Sequence, residues 1–187
     1  TTNAAAVALT PQVACAAIEA GHPGDMLVLQ GNLSAETTAA LVRRARDLGL
    51  VVTINPSPLQ PYFDALLPLA QIVFLNAGEA ELTGGTARLR QAGVAQVVLT
   101  RGPQGAVLVD AAGTTEVAAV PADPVDTTGA GDCFLGVALA SAGLRGVPLD
   151  ARALRHAAAA AALTVMRPGT VSAFPTPQEM REILKAP

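Results

Sequence analysis

The chain has 187 residues, of which 51% are hydrophobic and 14% charged. That is enough apolar side chain for a sizeable core, and it excludes intrinsic disorder. Lys and Arg number 12 against 15 Asp and Glu, so the basic excess expected of a nucleic-acid binder is lacking. No apolar run is long enough to span a bilayer, and the small polar opening residues carry no basic stretch of the kind that starts a secretory leader. Cys15 and Cys133 belong to no C-x-x-C and no Cys/His cluster. Neither structural zinc nor a disulfide framework is expected, and free thiols fit a reducing cytoplasm. The length predicts a single domain.

In chain order, helical character over residues 11–20 ends in the turn Gly21-His22-Pro23-Gly24. The run DMLVLQ at 25–30 reads as a buried strand. Ser34 caps a helix running to about Leu48, with Glu36 in its first turn and Gly49 just past its end. LVVTIN at 50–55 is the next strand, closed by Pro56-Ser57-Pro58. A short helix near 62–67, the strand QIVFL at 71–75 and two helical pieces near 78–82 and 86–92 follow. After the strand AQVVLT at 95–100, residues 106–110 and 114–120 read as a hairpin joined by Ala111-Ala112-Gly113. A loop over 121–128 precedes an apolar helix from Gly129 to about Ala142. Helices over 149–166 and 178–185, separated by a loop, complete the chain.

Apolar strands alternating with helices predict an α/β fold: three αβα layers around a mostly parallel sheet. Ligands bind beyond the carboxyl ends of such strands. That rule singles out Gln30-Gly31-Asn32, Asn55-Pro56, residues 76–79 and Thr100-Arg101-Gly102.

The strongest chemical signal is Asp126-Thr127-Thr128-Gly129-Ala130-Gly131-Asp132, placed just before the long apolar helix. Small residues at 129–131 let a ligand approach the backbone, and amides at a helix N-terminus form an anion site. A carboxylate in that first turn is a poor phosphate ligand but a sensible proton acceptor during phosphoryl transfer. An ordinary Gly-rich turn with Asp in a favourable first-turn position is the bland alternative. For Asn76 and Glu79 the bland alternative is a capping box with a solvent-facing Glu, and the spacing alone does not decide.

The seven-residue string resembles the signature of the ribokinase-like (PfkB) carbohydrate kinases. Asn55-Pro56-Ser57-Pro58, Asn76-Ala77-Gly78-Glu79 with Glu81-Leu82-Thr83-Gly84, and Thr100-Arg101-Gly102-Pro103-Gln104-Gly105 resemble that family's other motifs in the same order. The resemblance implies a ribokinase-like fold and ATP-dependent phosphoryl transfer to a hydroxyl of a sugar or sugar-like molecule. It implies that Asp132 is the catalytic base and that Gly129, Ala130 and Gly131 form the anion hole. It implies that Asn76, Thr100, Gly102 and Gly105 bind ATP, and that Glu79 holds Mg²⁺ through water. Asn32 falls where relatives touch the sugar. Asp126, Thr128, Thr164, Arg167 and Gly169 occupy positions that hold K⁺ in relatives, although Ala173 replaces a hydroxyl residue often found there. Ala158 falls where relatives often place Asn or His near adenine. His156, one half-turn earlier, reads as a partly buried helical residue. Cys133 reads as a small packing residue, with activation by the helix N-terminus as the alternative.

The family's sugar-binding Gly-Gly loop, first strands and lid find no counterpart here, so the chain is expected to be the carboxyl-terminal part of a kinase, inactive alone. The lid would allow a homodimer. A nucleoside or vitamin kinase of the same fold, or a non-catalytic nucleotide-binding fragment, are the alternative readings. Neither a nucleic-acid nor a membrane partner is expected.

Overall fold

A computed structural model describes residue 6 and residues 8–187. The small polar opening residues lie outside them. The chain divides into two compact units, Thr1–Val98 and Leu99–Pro187. Six strands form one sheet in sequential order, β1 to β6.

In the first unit, α1 (Pro11–Ala17) precedes β1 (Met26–Leu29), α2 (Ala35–Asp47), β2 (Val51–Ile54), α3 (Phe63–Leu66), β3 (Ile72–Asn76), α4 (Ala77–Thr83) and α5 (Gly85–Gln91). β1 and β2 pair in parallel with Met26 opposite Val51, and β2 pairs in parallel with β3 with Thr53 opposite Ile72. Val52, Ile54, Val73 and Phe74 are buried, as expected of parallel strands with covered faces. Ser34 caps α2 by accepting the Thr37 amide at 3.1 Å, and Glu36 lies in the first turn. Both features match the expectation from sequence.

β4 (Gln96–Thr100) carries the boundary between the units. The second unit continues with β5 (Ala106–Asp110), β6 (Gly113–Val117), α6 (Ala130–Arg145), α7 (Ala151–Val165) and α8 (Pro177–Lys185). β5 and β6 are antiparallel, with Ala106 opposite Val117 and Asp110 opposite Gly113. β6 therefore ends three residues before the predicted strand does. A longer strand would need partners at 103–105, and the chain there is taken up by the 3₁₀ turn Gly102–Gln104 and Gly105 that follows it. α6 runs three residues past the predicted end, to Gly146 in the left-handed region at φ 65°.

α6 and α7 pack on each other. Their buried faces include Ala138 and Ala142 on one helix and Ala153, Ala157 and Ala160 on the other. His156 is fully rather than partly buried, and both ring nitrogens are engaged. Nε2 donates to the Ala186 carbonyl at 2.9 Å, and Nδ1 lies 2.8 Å from Ser141 Oγ. Since a carbonyl only accepts, the Nε2–H tautomer follows, and Nδ1 accepts from the hydroxyl.

The α6–α7 turn is closed by Asp150, which accepts the Ala153 amide at 2.8 Å and holds Arg145 through two bonds of 2.7 and 2.8 Å. The Arg145 guanidinium, ahead of the Ala153 amide, pulls the Asp150 carboxyl from its ordinary 3.8 to about 2. A carboxyl lowered in the folded state stabilises above its unfolded value and loses that contribution as pH falls through the folded one. The window is therefore from about pH 4 down to about pH 2. Asp150→Asn keeps a capping oxygen but no charge. Its urea midpoint should be flatter than wild type across that window, with a neutral-pH loss under about 1 kcal/mol because the pair is solvent-screened. Parallel curves for the two proteins would show that the ion pair contributes nothing.

Candidate active site

The site in the second unit is built around the start of α6. Gly129 precedes that helix at φ 77°, a left-handed conformation that glycine adopts without penalty. A Cβ there would lie 3.1 Å from the Phe174 ring. No side chain caps α6, so the amides of its first turn open a 16-residue helix without the usual Ser, Thr or Asp oxygen. A helix start without a side-chain cap, together with the helix dipole, favours an anion there. The turn is held by the Ala130 amide on the Thr127 carbonyl at 3.3 Å and the Cys133 amide on the Gly129 carbonyl at 2.9 Å. Gly131 is exposed, and a Cβ built on it meets nothing within 4 Å. Asp132 occupies the same first turn and is exposed.

Behind the turn, Asp126 works as a latch. One carboxylate oxygen accepts the Thr128 amide at 2.9 Å, and the other accepts the Gly169 amide at 3.1 Å across 43 residues of sequence. The Thr128 side chain, then the Thr128 and Gly169 amides, hold its carboxyl below the ordinary carboxylate range. The Val125 and Asp126 amides both donate to the Val165 carbonyl. The Thr164 carbonyl accepts the Arg167 amide at 3.2 Å. Asp126, Thr128, Arg167 and Gly169 are thus linked by hydrogen bonds to one another or to the end of α7, where Thr164 lies. The Arg167 side chain is turned to Glu179, whose carboxyl it lowers to about 2 together with the Thr176 groups. Carbonyl oxygens and one carboxylate are the donor chemistry a weakly hydrated cation takes. Ala173 is buried in this segment.

Thr100 ends β4, and Gly102 opens the 3₁₀ turn that leads to Gly105. A Cβ on Gly105 would lie 2.1 Å from the Val117 carbonyl oxygen, so only glycine lets these two segments meet. Cys133 is buried and its thiol is pushed up by that burial, against the opposing bond from Thr164. Its burial fits the packing reading of Cys133.

In the first unit, the strand-end residues gather at the carboxyl ends of β1 to β3. The Gln30 amide donates to Asn55 Oδ1 at 3.1 Å, and Asn55 Nδ2 donates to the Phe74 carbonyl at 3.2 Å. Asn55 thereby cross-links three strand ends. Asn76 and Glu79 form the capping box: the Glu79 amide donates to Asn76 Oδ1, and the Asn76 amide donates to Glu79 Oε2, both at 2.9 Å. Glu79 is buried, not solvent-facing as the bland reading supposed. Asn32 is exposed in the turn after β1. Among the described residues no three His, Cys, Asp or Glu side chains gather to hold a metal ion. Glu79 Oε2 is committed to the Asn76 amide, which leaves the other carboxylate oxygen as the hard donor this motif offers to a hydrated Mg²⁺.

The sequence reading missed the pocket bordered by Val117, Val120 and Ala158. Residues 118–120 read as strand, so their departure from the sheet was not visible. Among the described residues no helix is long and apolar enough to cross a membrane.

Comparison with known proteins gives the site its context. The pfkB family of carbohydrate kinases matches residues 1–177. Ribokinase of Bacillus subtilis is 32% identical over 181 residues, which cover 94% of this chain and 60% of that protein. The crystal structure of Thermotoga maritima ribokinase superposes with a TM-score of 0.76 at 28% identity, over 87% of this chain and 57% of the other. Arabidopsis thaliana ribokinase, solved with ribose and ATP, gives a TM-score of 0.76 at 25% identity, over 87% and 56%. The chain therefore spans less than two thirds of the length of these relatives. With its fold and motifs matched along nearly the whole of its length, the chain belongs to the pfkB family of carbohydrate kinases.

Proposed function

We propose that the protein carrying this chain transfers the γ-phosphoryl group of ATP to a hydroxyl of a sugar or sugar-like small molecule. The observation that carries this reading is the uncapped N-terminus of α6, with Gly129 in the left-handed region and the carboxylate of Asp132 in the first turn. Asp132 accepts the proton of the acceptor hydroxyl as that oxygen bonds to the γ-phosphorus. The bond from phosphorus to the bridging oxygen breaks, and ADP leaves with that electron pair. Gly129, Ala130 and Gly131 are assigned to the anion hole for the group in transit, whose charge is the main catalytic demand of such a reaction.

Thr100, Gly102 and Gly105 are assigned to ATP, and Asn76 is a separate assignment to ATP. When bound, Mg²⁺ neutralises phosphate charge, and Glu79 is assigned to it through water. Asp126, Thr128, Thr164, Arg167 and Gly169 are assigned to a K⁺ ion, which would brace the loop that Asp126 already latches. Asn32 is assigned to the acceptor. Two free thiols suit a cytoplasmic setting.

The test is a panel of pentoses, hexoses and ribosides with the full-length protein, ATP and Mg²⁺, followed by acceptor-dependent ADP release. Turnover with one acceptor at a rate of about 1 per second or more is the expected result. Absence of acceptor-dependent ADP across the panel counts against a sugar or sugar-like acceptor.

A further inference from the structure

In the first unit, the turn after β1 is bound to the segment after β2 by three hydrogen bonds. The Gly31 amide donates to the Ser57 carbonyl at 3.0 Å. The Gly31 carbonyl accepts from Gln60 Nε2 at 3.3 Å, and the Leu33 carbonyl accepts from the Tyr62 hydroxyl at 2.9 Å. A Cβ on Gly31 would lie 1.8 Å from the Pro58 carbonyl oxygen, so only glycine lets the two segments come this close. Of residues 31–33, Gly31 is buried, Leu33 is half-buried and Asn32 is exposed.

The three bonds bracket Asn32. Both main-chain polar groups of the residue before it are engaged, and so is the carbonyl of the residue after it. The turn is thus held on both sides of an exposed amide side chain at the carboxyl end of a parallel strand, where such sheets meet their ligands. A loop residue that contacts a ligand loses freedom on binding, and that cost falls when its neighbours are already fixed. Tyr62 is suited to the task because its own ring is anchored. It stands 4.8 Å, centroid to centroid, from the ring of Phe63, which is fully buried.

We propose that Tyr62, assisted by Gln60, is a positioning residue for the acceptor: it holds the turn at 31–33 so that the Asn32 amide meets an acceptor hydroxyl. The proposal rests on the phosphoryl-transfer reading above and on the assignment of Asn32 to the acceptor. An amide side chain both donates and accepts, as a hydroxyl does, so the pair matches without a charge on either side. Contact of this kind is made in the bound substrate and kept in the transition state. Its loss raises KM for the acceptor and leaves kcat alone.

The experiment is a double-mutant cycle in the full-length protein with ATP and Mg²⁺. Its probe is the pentose, hexose or riboside of the panel above with the highest kcat/KM. Tyr62→Phe keeps the ring and removes only the hydroxyl. It should raise KM for the acceptor about fivefold, the scale of one hydrogen bond, with kcat and KM for ATP within about twofold of wild type. Asn32→Ala should raise the same KM about tenfold. Adding Tyr62→Phe to Asn32→Ala should then change it less than about twofold, because the turn no longer presents an amide. The same fivefold effect in both backgrounds overturns the proposal, since Tyr62 would then act independently of Asn32. An unchanged acceptor KM in Tyr62→Phe overturns it too, and so does a fall in kcat alone. Gln60→Met removes the longer bond and should raise the acceptor KM about twofold. Should Tyr62→Phe fail to fold, an unchanged acceptor KM in Gln60→Met overturns the proposal. An unchanged acceptor KM in Asn32→Ala removes the acceptor assignment and the proposal together while leaving the kinase reading standing. Absence of turnover with every member of the panel removes all three.

Discussion

Replacing Asp132 by Asn is expected to lower turnover of the full-length protein by at least about a hundredfold, the usual scale for loss of a general base. Nucleotide affinity should stay within about threefold, because the substitution keeps the side-chain shape and removes a negative charge beside the phosphate site. The argument comes from placement. Asp132 is exposed in the first turn of α6, three residues after the left-handed Gly129. The favourable dipole position would by itself explain an Asp there, and on that reading the Asp132→Asn substitution would cost a little stability and no turnover. The two readings therefore separate cleanly in paired measurements of kcat and thermal midpoint. Loss of kcat with an unmoved midpoint supports the base. A kcat near wild type rejects it, whatever the midpoint does.

The capping residues, apolar strands and Gly stops made most of the fold legible from the residues alone. Ser34, Glu36 and Gly49 bracket α2 because each acts on groups within a few positions along the chain. Where the reading failed, the deciding partner was distant or conformational. Gly143 and Gly146 both look like helix stops, but only Gly146 takes a positive φ, and composition does not report φ. Residues 118–120 have strand-like side chains but no strand to pair with, because the neighbouring chain is already turning at Gly102.

The site was legible as a string and illegible as a cluster. Spacing placed Gly129–Asp132 at a helix start and allowed a capping box at Asn76 and Glu79 without deciding it. It gave no sign that the Asp126 carboxylate reaches the Gly169 amide, a contact that tertiary folding creates. Nor did it show that Glu79 is buried or that both nitrogens of His156 are engaged. The family resemblance filled part of this gap by placing Asp126 and Gly169 in one set. It could not supply the physical link between them.

The glycines before Asp132 separate fold from function most sharply. Gly131 lies within α6, where glycine is a poor helix former, at up to about 1 kcal/mol worse than alanine. Its φ is not positive, and a Cβ there has no neighbour within 4 Å. Nothing in the fold requires glycine at this position. Gly129 is the contrast: its φ is 77° and the Phe174 ring stands 3.1 Å from any added Cβ. Gly131→Val should therefore leave the thermal midpoint unchanged or slightly raised. If the open space above it is where the phosphoryl group passes, turnover should fall by about a hundredfold or more, the scale seen when one anion-hole donor is lost. Gly129→Val should lower the midpoint, since a β-branched residue at that φ is strained and must also displace the ring. A Gly131→Val protein with ordinary turnover would mean that no ligand comes near this turn, and the anion hole would have to be sought elsewhere in the chain. A collapsed midpoint would mean instead that the turn serves the fold.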